Sequence, residues 1–118
     1  MTRTWVENAG PGIQEAVEKE IHKAKLSKQE ATELERLVGR IARGTVFPKD
    51  SEYLSQYGLW EAKLQGDRRT FRLLYAERGT GKLVLVGLLF TVKKSNRLPT
   101  STFKAAKARL RVWDANNQ

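Results

Sequence analysis

The hydrophobic positions change period along the chain. In the first half Ile13, Val17 and Ile21 recur every four residues, with Ala16 and Ala24 on the same side. Glu15, Glu18, Lys19 and Lys23 take the other face. That spacing predicts an amphipathic helix, opened by Pro11 after the break "NAGPG". A loop follows near Lys25–Leu26. Ser27 and Glu30 then make an S-x-x-E capping box. Leu34, Leu37, Val38 and Ile41 follow the i, i+3, i+4, i+7 pattern, and Gly44 is placed to end that second helix. The two helices are expected to form an antiparallel hairpin with a solvated outer face. Ahead of them, "TRTWV" reads as a short edge strand.

Residues 45–58 form a connector with Pro48 and Gly58, and beyond it the period is two. Trp60, Ala62 and Leu64 alternate with Glu61 and Lys63, and "GDR" signals a hairpin turn. Phe71, Leu73 and Tyr75 alternate with Arg72, Leu74 and Ala76. After "RGTG", the run Leu83 to Val92 is nearly continuous apolar sequence, as expected of a central strand covered on both faces. Thr100 or Ser101 can cap a last helix over about residues 101–113. Phe103, Ala106, Leu110 and Trp113 would point inward, and Lys104, Lys107, Arg109 and Arg111 outward. The predicted order is β-α-α-β-β-β-α. It describes an α+β domain, one unit over residues 1–118, with its helices gathered on one face of a small antiparallel sheet.

Charge changes the picture by its position. Residues 1–59 hold nine Lys+Arg and nine Asp+Glu, whereas residues 60–118 hold thirteen and four. The whole excess of +9 therefore sits in the second half, as expected of a surface built for a polyanion. The chain has no cysteine, so disulfides and thiol chemistry are excluded. No metal site or cofactor motif is legible, and "GTGK" at 79–82 lacks the other residues of a phosphate-binding loop. His22, the single histidine, lies in a charged helical stretch and reads as a solvated residue. The N-terminus has no signal-like apolar run, and Leu83–Val92 is too short to cross a bilayer as a helix, so the expectation is a cytoplasmic protein without a membrane partner.

The strand pattern brings the cations together. A two-residue loop at Gly66-Asp67 would pair Glu61 with Arg72, and a four-residue loop would pair Lys63 with Arg72. Either way Glu61, Lys63 and Arg72 share one face. The plainer account of Arg72 is a cross-strand salt bridge to Glu61. If the apolar strand ends at Val92, the following Lys93, Lys94 and Arg97 open onto the same face, with Arg68 and Arg69 on its rim. Such a surface fits a phosphate backbone, since Arg grips phosphate with two parallel hydrogen bonds and Lys supplies a compact charge. The plainer account of these cations is charge at the wet end of a strand. Tyr53 and Tyr57 could stack on bases, or simply pack.

"GLWEAKL", "FRLLYAE", "LVLVGLLFTVKKSNRLP" and the closing basic helix resemble the RelE/ParE toxin superfamily, nearest to its phage-derived HigB-like branch. The similarity covers roughly residues 12–113. What the resemblance implies is a RelE-like fold and the toxin of a type II toxin–antitoxin pair. By that analogy it is a ribosome-dependent mRNA endonuclease, paired with a cognate antitoxin of helix-turn-helix type. Lys63, Arg72 and Lys93 or Lys94 fall where nuclease members place catalytic or phosphate-stabilising cations. RNA supplies its own nucleophile, the 2′-OH, so in-line alignment and charge stabilisation suffice. Lys63 is the candidate base, because crowded cations favour a neutral amine. Arg72 and Lys94 would stabilise the transition state, and Arg68, Arg69, Lys93, Arg97 and Lys104 would bind RNA. The branch commonly has arginine where Lys63 stands, and some relatives have tyrosine or histidine near Phe103. Two other functions are carried forward: a DNA gyrase inhibitor, and a non-catalytic nucleic-acid or protein-binding module of a phage or mobile element.

Overall fold

The computed structural model describes residues 2–6, 13–94 and 97–117. The expected break around Pro11, and Ser95 and Asn96, lie outside them. The elements are β1 (Thr4–Trp5), α1 (Ile13–Ala24), α2 (Lys28–Arg43), β2 (Ser51–Leu54), β3 (Leu59–Gln65), β4 (Thr70–Arg78), β5 (Val84–Lys93) and α3 (Thr100–Asn116). Short 3-10 turns at Pro48–Asp50 and Thr80–Lys82 precede β2 and β5. No helix among the described residues is long and apolar enough to cross a membrane.

The α+β class is as expected, and its arrangement differs in four respects. A strand inside the expected connector, β2, pairs antiparallel with β3, giving a five-stranded sheet in the order β1-β5-β4-β3-β2. Among the described strands β1 is parallel to its neighbour and the other pairs are antiparallel, so the sheet is mixed. The central strand is β4, and β5 lies between it and the two-residue β1. The helices, moreover, do not share a face. Phe71, Leu73, Tyr75 and Phe90 cluster with Leu37 and Ile41 of α2 and with Val17 and Ile21 of α1. Leu74, Ala76, Val86 and Leu88 cluster instead with Ala106 and Leu110 of α3. Residues 71–76 are all buried. A strand apolar on both faces needs a cover on each, and each large side chain so buried contributes about 1.5–3 kcal/mol. A bulge opposite Leu74/Tyr75 leaves Leu88 as an extra residue, which lets the adjacent Leu88 and Leu89 both join the α3-side core.

Local chemistry sets the element ends. Ser27 Oγ accepts from Glu30 N at 3.0 Å, and Ser27 N donates to Glu30 Oε1 at 2.9 Å, the expected capping box. Gly44 ends α2 at φ 74, in the left-handed region that glycine adopts without strain. The expected Thr100 or Ser101 cap on α3 does not form: Pro99 stands at the cap position with no side-chain bond. Arg109, expected outward, turns back to donate to Glu20 Oε2 at 3.0 Å and to the Leu88 carbonyl at 2.7 Å.

Arg69, expected on the rim of the cation surface, is part of the scaffold. It donates to the Ala24 carbonyl at 2.7 Å and to Glu30 Oε1 at 3.1 Å, and it lies over the Phe71 ring. Glu30 also accepts from Asp67 N, so one carboxylate fastens α2 to the β3–β4 turn. The backbone N–H of Ser27, then that of Asp67 and the Arg69 guanidinium, hold the Glu30 carboxyl below its ordinary range against the opposing effect of burial. A lowered native value means that the unfolded chain takes up this proton first. The stabilisation is thus complete above the ordinary Glu value of about 4.3 and is lost as pH falls through the lower native value. We expect Glu30→Gln to flatten the acid limb of stability against pH, read by thermal melts from neutral pH downward. Gly66 sits in the same clasp, where an added Cβ would lie 2.1 Å from Glu30 Oε2 and 2.9 Å from the Arg69 carbonyl. Gly66→Ala should therefore destabilise by about 1–3 kcal/mol in chemical denaturation.

The Tyr75 hydroxyl is buried and shares a 2.7 Å hydrogen bond with Ser51 Oγ, and burial pushes its ionisation upward. Ser51→Ala should cost about 1–3 kcal/mol by stranding that hydroxyl, and Ser51→Ala/Tyr75→Phe should recover part of the loss in the same assay.

Candidate nucleic-acid cleft

The α3-side face of the sheet changes character along its length, and the register shows where. One row carries Glu52, Glu61, Leu74 and Leu89 across β2 to β5. The next carries Lys63, Arg72 and Thr91, and the last Gln65, Thr70 and Lys93. Apolar side chains thus give way to charged ones toward the β3–β4 turn. The apolar end is covered by Ala106 and Leu110 of α3. Where the charged rows begin, the helix has reached its N-terminal turn, and a cleft of about 470 Å³ opens. Lys63, Arg72, Lys93 and Arg97 line it, together with Glu52 and Glu61.

Four of the expected cations therefore meet. The hairpin has the four-residue form, with Gly66 N donating to the Arg69 carbonyl at 2.7 Å and Lys63 directly opposite Arg72. Arg72 is only 8% exposed, although it is charged, and lies near the start of β4 within its buried run. Its Nη1 donates to the Phe71 carbonyl at 3.0 Å, and its Nε lies 3.5 Å from Glu61 Oε2. The cross-strand pair with Glu61 is present, and the cationic cleft is present with it. Four cations against two carboxylates leave the cleft net positive.

The other expected site residues lie elsewhere. Lys94, expected to stabilise the transition state, lines a different cleft beside Glu20 and Arg109. The reason is the alternation of a strand: β5 ends at Lys93, and the next side chain leaves on the opposite side. Arg68 is exposed in the turn, Lys104 is exposed on α3, and neither lines this cleft.

Tyr57, named from the sequence as able to stack on bases or to pack, lines the cleft and packs, but its pairing with Phe103 and the presence of Glu52 were not foreseen. Tyr57 stacks on Phe103, with ring centroids 4.5 Å apart and planes 6° apart, and the two rings form an aromatic wall of the cleft. Tyr57 lies in the turn between β2 and β3, and Phe103 in the first turns of α3. Their meeting depends on α3 crossing this face, which period alone does not reveal. Glu52 was hidden because β2 is four residues long and preceded by Pro48. Among the described residues no group of three or more His, Cys, Asp or Glu side chains is placed to hold a metal ion. No family model, no curated protein and no solved structure matches the chain.

Proposed function

We propose that this protein is a cytoplasmic toxin of a type II toxin–antitoxin pair, a RelE-like mRNA endonuclease that acts on the ribosome, with a helix-turn-helix antitoxin as its cognate partner. One observation carries the reading: Lys63, Arg72, Lys93 and Arg97 meet in one cleft with an aromatic wall. A single RNA strand needs those two things, cations for the phosphates and a ring face for a base.

On this reading the 2′-oxygen bonds to phosphorus, the bond to the 5′-oxygen breaks, and a 2′,3′-cyclic phosphate remains. Lys63 takes the 2′-OH proton, and the departing 5′-oxygen takes one from solvent. Arg72 and Lys93 carry the charge that builds on the phosphorane oxygens. The strand-end role thus passes from Lys94 to Lys93, because Lys93 is the residue in the cleft. Arg72 suits a preorganised donor: Glu61 and the Phe71 carbonyl hold it, so little side-chain freedom is lost when phosphate arrives.

The same two contacts favour a second reading, in which Arg72 is structural and the fold is a non-catalytic binding module. Inducible expression without an antitoxin separates the readings. We expect growth arrest, with new RNA 5′ ends inside translated messages and unchanged DNA supercoiling. Intact messages with blocked supercoiling would point to gyrase, and no effect on either to the module. Within the nuclease reading, Lys63→Ala and Lys93→Ala should each lower cleavage about 10²–10³-fold. Arg111→Ala, on the exposed side of α3, should leave it unchanged. Arg72→Lys is the informative change at the buried site, since alanine there would also leave the half-buried Glu61 carboxylate without its partner. It should fold and lose activity, because an ammonium cannot reproduce the planar fork.

A further inference from the structure

The second cleft, where Lys94 lies, has a distinctive build. Its floor is the edge of β5 from Leu89 to Val92. One wall is α1, with Glu20, Lys23 and Ala24, and the other is α3, with Ser101, Thr102 and Arg109. Helices α1 and α3 cover opposite faces of the sheet. The cleft is therefore a slot between helices on opposite faces of the sheet, with strand backbone at its base.

The pairing of that edge is uneven. Beside Val84 and Leu85 it carries β1, with Thr4 N on the Leu83 carbonyl and Val6 N on the Leu85 carbonyl, both at 2.9 Å. Farther along, no described strand lies on this side of β5, and side chains serve the backbone instead. Arg109 donates to the Leu88 carbonyl at 2.7 Å, and Glu20 Oε1 accepts from Phe90 N at 3.1 Å. Glu20 and Arg109 bond each other at 2.9 Å, so they make a two-residue substitute for a strand. Backbone N–H groups alternate sides, hence Val92 N points the same way as Phe90 N, just past this clamp. The Thr91 hydroxyl reaches the Val92 carbonyl at 3.4 Å. A strand edge with ladder groups facing outward is a template for another strand.

We propose that this slot binds an extended, acidic segment of a partner polypeptide, which adds to the edge of β5 beyond Phe90. Backbone pairing supplies the fit, as in other cases of strand addition. Charge selects the occupant: Lys23 and Lys94 both line the slot, while Glu20 and Arg109 neutralise each other. A nucleic acid would use the lysines and leave the strand edge unread, so the peptide is the better match. The proposal does not rest on the nuclease reading, since Lys63 and Lys93 line the other cleft.

The test uses the full chain, labelled with 15N, and an end-blocked peptide of alternating valine and glutamate. We expect the amides of Phe90 and Val92 to shift on titration. Lys23→Glu/Lys94→Glu should raise the dissociation constant about tenfold or more. Both lysines are exposed, so the melting temperature should hold; Lys23→Gln and Lys94→Gln, tested singly, stand in if the double variant is unstable. Val92→Pro removes the outward N–H and should abolish binding while the β4 side of the strand stays paired. The proposal is overturned if those amides do not move, or if a valine–lysine peptide binds as tightly. It is also overturned if an oligouridylate shifts the same amides and the acidic peptide does not.

Discussion

The burial of one arginine organises this molecule. β4 is buried from Phe71 to Ala76, and one member of that run is Arg72. A guanidinium cannot be enclosed without partners. Glu61, diagonal to it on β3, and the Phe71 carbonyl meet that demand. Because Arg72 and Glu61 share the α3-side face, that face cannot be wholly covered by an apolar helix. The helix covers Leu74, Ala76 and Val86 and ends where the charged rows start, and the cleft lies there.

Other charged residues fasten the helices and the first strand to the sheet. Glu30 and Arg69 lock the β3–β4 turn to α2, on the face opposite the cleft. At the far end of the sheet Arg78 makes a two-pronged ion pair with Asp114, at 2.9 and 3.1 Å, which pins the last turns of α3 to β4 and raises the Arg78 ionisation further. Arg3 joins Glu77 to the Ile41 carbonyl and so ties the start of the chain to α2. Many of the cations are therefore committed to scaffold contacts. Others are directed into the two clefts, and alternation at the end of β5 divides them, sending Lys93 to one and Lys94 to the other.

Much of this was legible in the sequence. Period two placed Lys63 and Arg72 on one face, and the hairpin options included the register that forms. The Ser27–Glu30 box and Gly44 bounded α2 correctly because caps are local chemistry. What escaped was whatever depends on distant parts of the chain meeting. Alternation shows that Leu74 and Ala76 share a face, but not that α3 crosses it. Arg69 and Arg109 looked like surface charge because their partners, Glu30 and Glu20, lie 39 and 89 residues away. Lys94 is a different case. Adjacent strand residues point to opposite sides, so the sequence already argued against placing Lys93 and Lys94 on one surface.

The central claim is that the cleft holding Lys63 and Lys93 meets the RNA phosphates. It is tested most directly by amine footprinting on ribosomes programmed with a 2′-O-methylated message, which binds but cannot supply the attacking hydroxyl. Brief acetylation and mass spectrometry then report each lysine. Lys63 and Lys93 should become protected relative to the free protein, while Lys28, exposed on α2, stays as reactive as before. Equal labelling of Lys63 and Lys93 in the free and ribosome-bound protein would contradict the account.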